Sequence, residues 1–219
     1  MNTSIVRQII TAVLLLPALV APAQDATLPL PQAGARLRAE LERIHELDQR
    51  DRLNVHNYIT GAQKDSVISH MVLQDSLNFA RVTAIIDSSG WLGPDAVGAK
   101  ASQALFLVLQ HADARPAVQA AYLPVMRDAV ANGDAHPHEL AMLEDRVAVN
   151  SGKPQIYGSQ IGWKDGKPYM RAIADEEHVN ERRKAVGLEP LEDYVRRFGL
   201  EWAPPVKKER VLLMGPGKQ

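Results

Sequence analysis

The chain has 219 residues, 46% of them apolar, with 25 Lys+Arg against 26 Asp+Glu and no cysteine. Near-neutral charge excludes bulk attraction to nucleic acid or to an anionic membrane surface. The missing thiols exclude disulfides, cysteine catalysis and thiolate metal sites, so a core of ordinary size must hold the fold.

The chain opens on MNTSIVRQIITAVLLLPALVAPA, with Arg7, an apolar run from Ile9 to Val20, and Ala21-Pro22-Ala23. That is the charge, apolar core and small-residue cleavage pattern of a secretory signal peptide. The run is shorter than the roughly 20 residues a permanent span needs; the alternative is an anchor that is never cleaved. Residues 1–23 are therefore expected to be removed and the protein to be periplasmic or secreted. Without Arg7, 24 basic residues face 26 acidic ones, so neither a membrane nor a nucleic acid is an expected partner. Residues 24–34, rich in Pro and Gly, read as a lead-in, and 35–200 as one domain.

Leu37, Leu41, Ile44 and Leu47 predict a helix from Ala35 to about Asn54. A second is expected from Ser66, capped by Asp65, to about Asp87, before SSGWLGP. A third covers about 97–111, a fourth about 115–131, and a fifth runs from Pro137 to near Gly152. The period then changes to alternation. Asp165-Gly166 predicts a hairpin within about 155–173 that pairs Lys164 with Lys167, Ile161 with Met170 and Gln160 with Arg171. Its apolar face would carry Tyr157, Ile161, Trp163 and Met170 against the helices. Two short helices, about 176–186 and 191–198, precede an extended or mobile tail, 201–219. The expected fold is mainly α, an irregular multi-helix bundle with one β-hairpin near the C-terminal third.

Several polar residues fall on apolar stripes. Residues three or four apart share a helix face, and on the first helix Leu37, Leu41 and Ile44 lead directly to Asp48, with Arg52 one turn on. On the second, Asp75 and Asn78 interrupt a stripe of Ile68, Met71, Val72, Val82, Ile85 and Ile86. On the fifth, Asp145 sits among Ala141, Met142, Ala148 and Val149, with Arg146 beside Leu143. In LFLVLQHADARP, Gln110, His111 and Asp113 follow the most apolar helix of the chain. Buried charges need partners, water or ligand. One shared polar cluster is one solution, and it is how helix bundles build ligand and catalytic sites; a set of separate structural pairs and caps is the other.

His111 fits a general acid–base group oriented by Asp113, Asp48 or Asp145. It equally fits a helix end, with Asp113 capping the next helix ahead of Pro116. His136-Pro-His138 with Asp134 and Glu139 has metal-ligand residue types but lies in a turn before a helix, so no metal is assigned. Gly-rich phosphate loops, Gly-x-Ser-x-Gly and His-Glu-x-x-His are absent from the sequence.

Asp48-Gln49 followed by Arg52, then Asp75 and Asn78, GW around Trp91, QHAD at 110–113, LEDRVAVNSGKPQIYGSQ at 143–160 and VNERRKAVGLEPLEDY at 179–194 resemble an uncharacterised bacterial family, domain of unknown function 6624. The resemblance spans about 43–194. It implies that QHAD, Asp145-Arg146 and GKPQIYGSQ belong to one design; it implies no activity. One departure is His136, where a capping Asp or Ser is expected before Pro137.

Together these readings predict an internal polar pocket. Its catalytic candidates are His111, Asp145 and Asp48. Its ligand-binding candidates are Arg52, Asp75, Asn78, Gln110 and Arg146, closed by Gln155, Tyr157 and Gln160. Acid–base, hydrolase-like chemistry on a small polar substrate is one expectation. A non-catalytic ligand-binding or protein-interaction module with a structural polar cluster is the alternative. No cofactor is legible.

Overall fold

The computed structural model describes residues 30–54 and 61–204; the leader, most of the lead-in and the tail beyond Pro204 lie outside them. The chain is mainly helical, with a single two-stranded hairpin among the described residues. None of the described helices is long and apolar enough to cross a membrane.

Helices α1 (Leu30–Asn54) and α2 (Gly61–Ser89) are the long ones. Both start earlier than expected: Leu30 replaces Ala35, and Asp65 lies inside α2 instead of capping it. They lie antiparallel, since Glu40 pairs with Arg81, Arg52 with Asp75 and Asp51 with His70. Between them packs α4 (Ala99–Gln110), after a single turn, α3 (Pro94–Val97). The small residues Ala101, Ser102 and Ala104 let the neighbours close on α4, and Leu105, Val108 and Leu109 fill the centre with Leu41, Ile44, Val82 and Ile85.

Among the described residues, only the second half of α2 is covered. At 1.5 Å per residue its 29 residues run to about 44 Å, against about 18 Å for the 12 of α4. Ile68 and Val72, expected on the core stripe, are instead 42% and 59% exposed, and Leu73 and Leu77 are exposed beside them.

The predicted fourth helix is two: α5 (Pro116–Ala121) and α6 (Leu123–Asn132), divided at Tyr122. Pro124 has no N–H for the carbonyl of Ala120 and its ring crowds that turn. Pro137 opens α7 (Pro137–Asn150) as its first residue, as expected.

Strands β1 (Ile161–Lys164) and β2 (Lys167–Met170) pair in the expected register, Lys164 with Lys167 and Ile161 with Met170. Asp165 and Gly166 both have positive φ, 52° and 73°, as the tightest hairpin turns require. Ile161 and Met170 cover a second core of Ile173, Val179, Leu191 and Val195. This core is built with α8 (Val179–Ala185), preceded by a 3₁₀ turn, and α9 (Leu191–Arg196). Trp163 does not join that face. It lies nearer the tip, beyond the reach of the second core, and is 59% exposed. Tyr157 precedes the strand, in a loop, and the Tyr169 ring lies where a side chain at Gly162 would otherwise be.

Candidate functional site

The last turn of α4 delivers His111 into the space between α1 and α2. The His111 N–H closes on the Leu107 carbonyl, so the residue ends the helix and its ring swings out. Nδ1 lies 2.9 Å from Asp48 Oδ1 on α1. Asp48 is 2% exposed; its Oδ2 accepts from Gln49 at 2.7 Å, and Arg52 Nη2 stands 3.8 Å from Oδ1. Burial disfavours the Asp48 carboxylate, yet the His111 hydrogen bond and charge, with Arg52 and Gln49, outweigh it and hold its pKa below the usual range. With Asp48 ionised, the proton between them belongs to His111 Nδ1. The other ring nitrogen has no protein partner among the described residues, and the ring lines a cavity of about 420 Å³.

The other wall of the cavity is α2. Arg52 Nη2 donates to both oxygens of Asp75 at 2.8 Å. Asp75 nevertheless has a raised pKa: burial dominates, and the Asp48 charge adds to it against the pull of Arg52. Met71, Val72 and Ser76 complete this wall. The Ser76 hydroxyl makes no hydrogen bond to His111 among the described residues.

The loop between α4 and α5 and the side of α7 form the floor. Asp113 was expected as the cap of the next helix. Pro116 occupies the first helical position, so Arg115 takes the cap position, with no side-chain cap bond. Asp113 instead accepts from Arg146 at 3.2 Å and Asn150 at 3.0 Å. Buried Gln119 ties the same region together, donating to the Leu109 carbonyl at 2.8 Å and accepting from Asn150 at 3.1 Å.

Three buried polar atoms on three helices have no partner among the described residues: Asn78 Nδ2 on α2, Gln110 Oε1 on α4 and Arg146 Nε on α7; of the three residues only Arg146 lines the cavity, so Asn78 and Gln110, expected to bind ligand, do not. Each such atom costs about 1–3 kcal/mol unless something meets it. Gln74 satisfies only the carbonyl end of Asn78, at 2.8 Å.

The expected single cluster is in fact two. Asp145, fully buried, turns away from the cavity and accepts the backbone N–H groups of Ile156 (2.6 Å), Tyr157 (3.0 Å) and Ser159 (2.8 Å). Gln155 and Gln160 are likewise spent on the loop: Gln155 donates to the Gln160 carbonyl and accepts the Gln160 N–H at 2.8 Å. Gln160 reaches Ser159 Oγ at 2.8 Å. Tyr157 points its hydroxyl at Glu144, 3.4 Å away, and burial followed by the Glu144 charge raises its pKa. None of these lines the cavity with His111. Adjacent helix residues point about 100° apart, which is why Asp145 serves the loop while Arg146 serves the pocket.

Two arginines escaped the sequence reading. Arg183, 1% exposed, donates to the Glu189 and Tyr157 carbonyls at 2.6 and 2.7 Å under the Tyr194 ring. Its signal was present: it lies one turn after buried Val179. Arg115 lines the cavity with its guanidinium 4.9 Å from the centre of the Phe79 ring, and a turn residue before proline carries no periodic signal. His136 and His138 stack at 5.3 Å beside buried Glu139. Among the described residues, no three His, Asp or Glu are arranged to hold a metal ion.

Compared with known proteins, the chain matches the model of a family of unknown function (DUF6624) over residues 35–207. No curated protein and no solved structure matches it.

Proposed function

The chain belongs to that family of unknown function, and we propose that it uses the His111–Asp48 pair for acid–base chemistry in the α1–α2–α4 pocket. The observation that carries this reading is the 2.9 Å contact between His111 Nδ1 and a buried, ionised Asp48. A carboxylate behind one imidazole nitrogen sets the tautomer and aims the other nitrogen at the substrate. With no hydroxyl bonded to the imidazole, the reaction that fits is activation of a water, a hydrolase-like step on a small polar substrate. Asp145, expected among the catalytic residues, has no part in this scheme: it holds the 155–160 loop beside α7. The leader pattern supports an extracytoplasmic setting, periplasmic or secreted.

The test is a panel of ester, amide and phosphoester substrates offered to wild type, His111→Gln and Asp48→Asn. Turnover that falls at least about a hundredfold in His111→Gln, with the fold intact, supports the scheme, since a positioned general base contributes about 10²–10⁴-fold. Turnover that survives His111→Gln removes the imidazole from the mechanism. The cations Arg115 and Arg146 on the cavity lining favour one second reading, a binding module that meets the same ligand without converting it. In that case ligand binding, and no turnover, is seen in wild type.

A further inference from the structure

The cavity holds more cations than its acids can occupy. Arg52 is committed to Asp75 and stands near Asp48, and Arg146 reaches Asp113 through Nη1 alone while its buried Nε is unpaired. Arg115 has no carboxylate and no hydrogen-bond partner for its guanidinium among the described residues. It lies over the face of Phe79, itself 8% exposed. A guanidinium laid on an aromatic face keeps its N–H edge free and its position fixed, and that edge is a planar fork matched to an anionic group. The same cavity has an apolar wall: Met71 is half-buried, and Val72 is 59% exposed among the described residues.

We propose that Arg115, with Arg146, is the anion-recognition site of this pocket, and that its ligand is a small carboxylate carrying an apolar group that lies on Met71 and Val72. Arg52, the cation most visible in the sequence, is excluded from the role by its pairing with Asp75. The proposal builds on the pocket described above but not on catalysis by His111. The carboxylate end sits at Arg115 and Arg146, leaving the His111 imidazole to face the remainder of the molecule.

Calorimetric titration of the whole protein with acetate, butyrate, hexanoate and inorganic phosphate tests it. Binding should tighten about tenfold for each two methylenes added, as burial of apolar groups predicts, with phosphate weaker than hexanoate. Arg115→Gln should weaken every carboxylate at least tenfold and Arg115→Lys should recover only part, because an ammonium lacks the fork. Val72→Asp, at an exposed position that tolerates it, should also weaken hexanoate tenfold through repulsion. Hexanoate binding is read without turnover, so its loss in Arg115→Gln and the loss of turnover in His111→Gln are separate results, and either reading can fail alone. Unchanged binding in Arg115→Gln, phosphate binding as tightly as hexanoate, or no saturable binding of any carboxylate to wild type each overturns the proposal.

Discussion

Asp48 concentrates the chemistry of the pocket in one side chain. Its folded pKa is depressed, so its contribution to stability is complete above the ordinary aspartate range, about pH 3.9, and is lost as pH falls through the lower, folded value. Asp48→Asn should therefore flatten the acid limb of a stability–pH curve measured by urea unfolding. The same substitution should release the His111 tautomer: nitrogen-15 spectra should show Nδ1–H in neutral wild type and a mixture in the variant. Truncation to Ala leaves the buried neighbours unpaired and should cost about 3 kcal/mol, at the low end for a broken buried pair. Asp145 answers to a different readout. Asp145→Asn should cost about 2–3 kcal/mol, the scale of hydrogen bonds to a charged acceptor. It should also abolish hydrogen-exchange protection of the Ile156, Tyr157 and Ser159 amides while leaving the His111 tautomer as in wild type.

At the scale of elements, periodicity located helices well and their partners poorly. The Leu37–Leu41–Ile44–Asp48 spacing read correctly through to a buried carboxylate, and Asp165-Gly166 carried the hairpin register. The division of α5 from α6 was missed, although Pro124 disfavours a continuous helix there. What the sequence could not show was which stripe is covered. Ile68 and Val72 have the spacing of core residues, but no element among the described residues covers them. Nor could one sequence show that Asp145 and Arg146 face different clusters, because a helix-face error of one residue is as large as the angle of about 100° that separates them. The loop offers a sharper test of position than of composition. Gly158 has φ +74° and a side chain there would meet Leu191 and Ile173. Gly158→Ala should cost about 1–3 kcal/mol, the scale of held backbone strain, whereas Trp163→Ala at the hairpin tip should stay within about 0.5 kcal/mol. Thermal unfolding of the two variants checks both.

Over the whole molecule, α7 stands between two polar systems, the pocket on one flank and the tied loop with Arg183 on the other. Its first turn contributes a third polar feature, buried Glu139 at the start of the helix. Burial raises the Glu139 pKa despite the opposing charge of His136 and hydrogen bonds from Gln103 and the His136 backbone. The folded state thus holds that proton more tightly than the unfolded chain. Stability should rise as pH falls from above the raised value toward the ordinary glutamate range, about 4.3. Glu139→Gln should be more stable than wild type at neutral pH, and the difference should shrink on acidification. A constant difference at every pH would show that ionisation of Glu139 carries none of it.

The placement of the three tryptophans makes the molecule its own optical instrument. Trp91 packs on the first core, Trp202 on the second, and Trp163 is in solvent. With Trp163→Phe in place, one indole remains to report on each core, and adding Trp91→Phe or Trp202→Phe isolates a single emitter. Coincident denaturation curves from the two single-tryptophan proteins would mark one cooperative unit. Separated curves would say that the hairpin end melts on its own, and the order of the two midpoints would name which end gives way first.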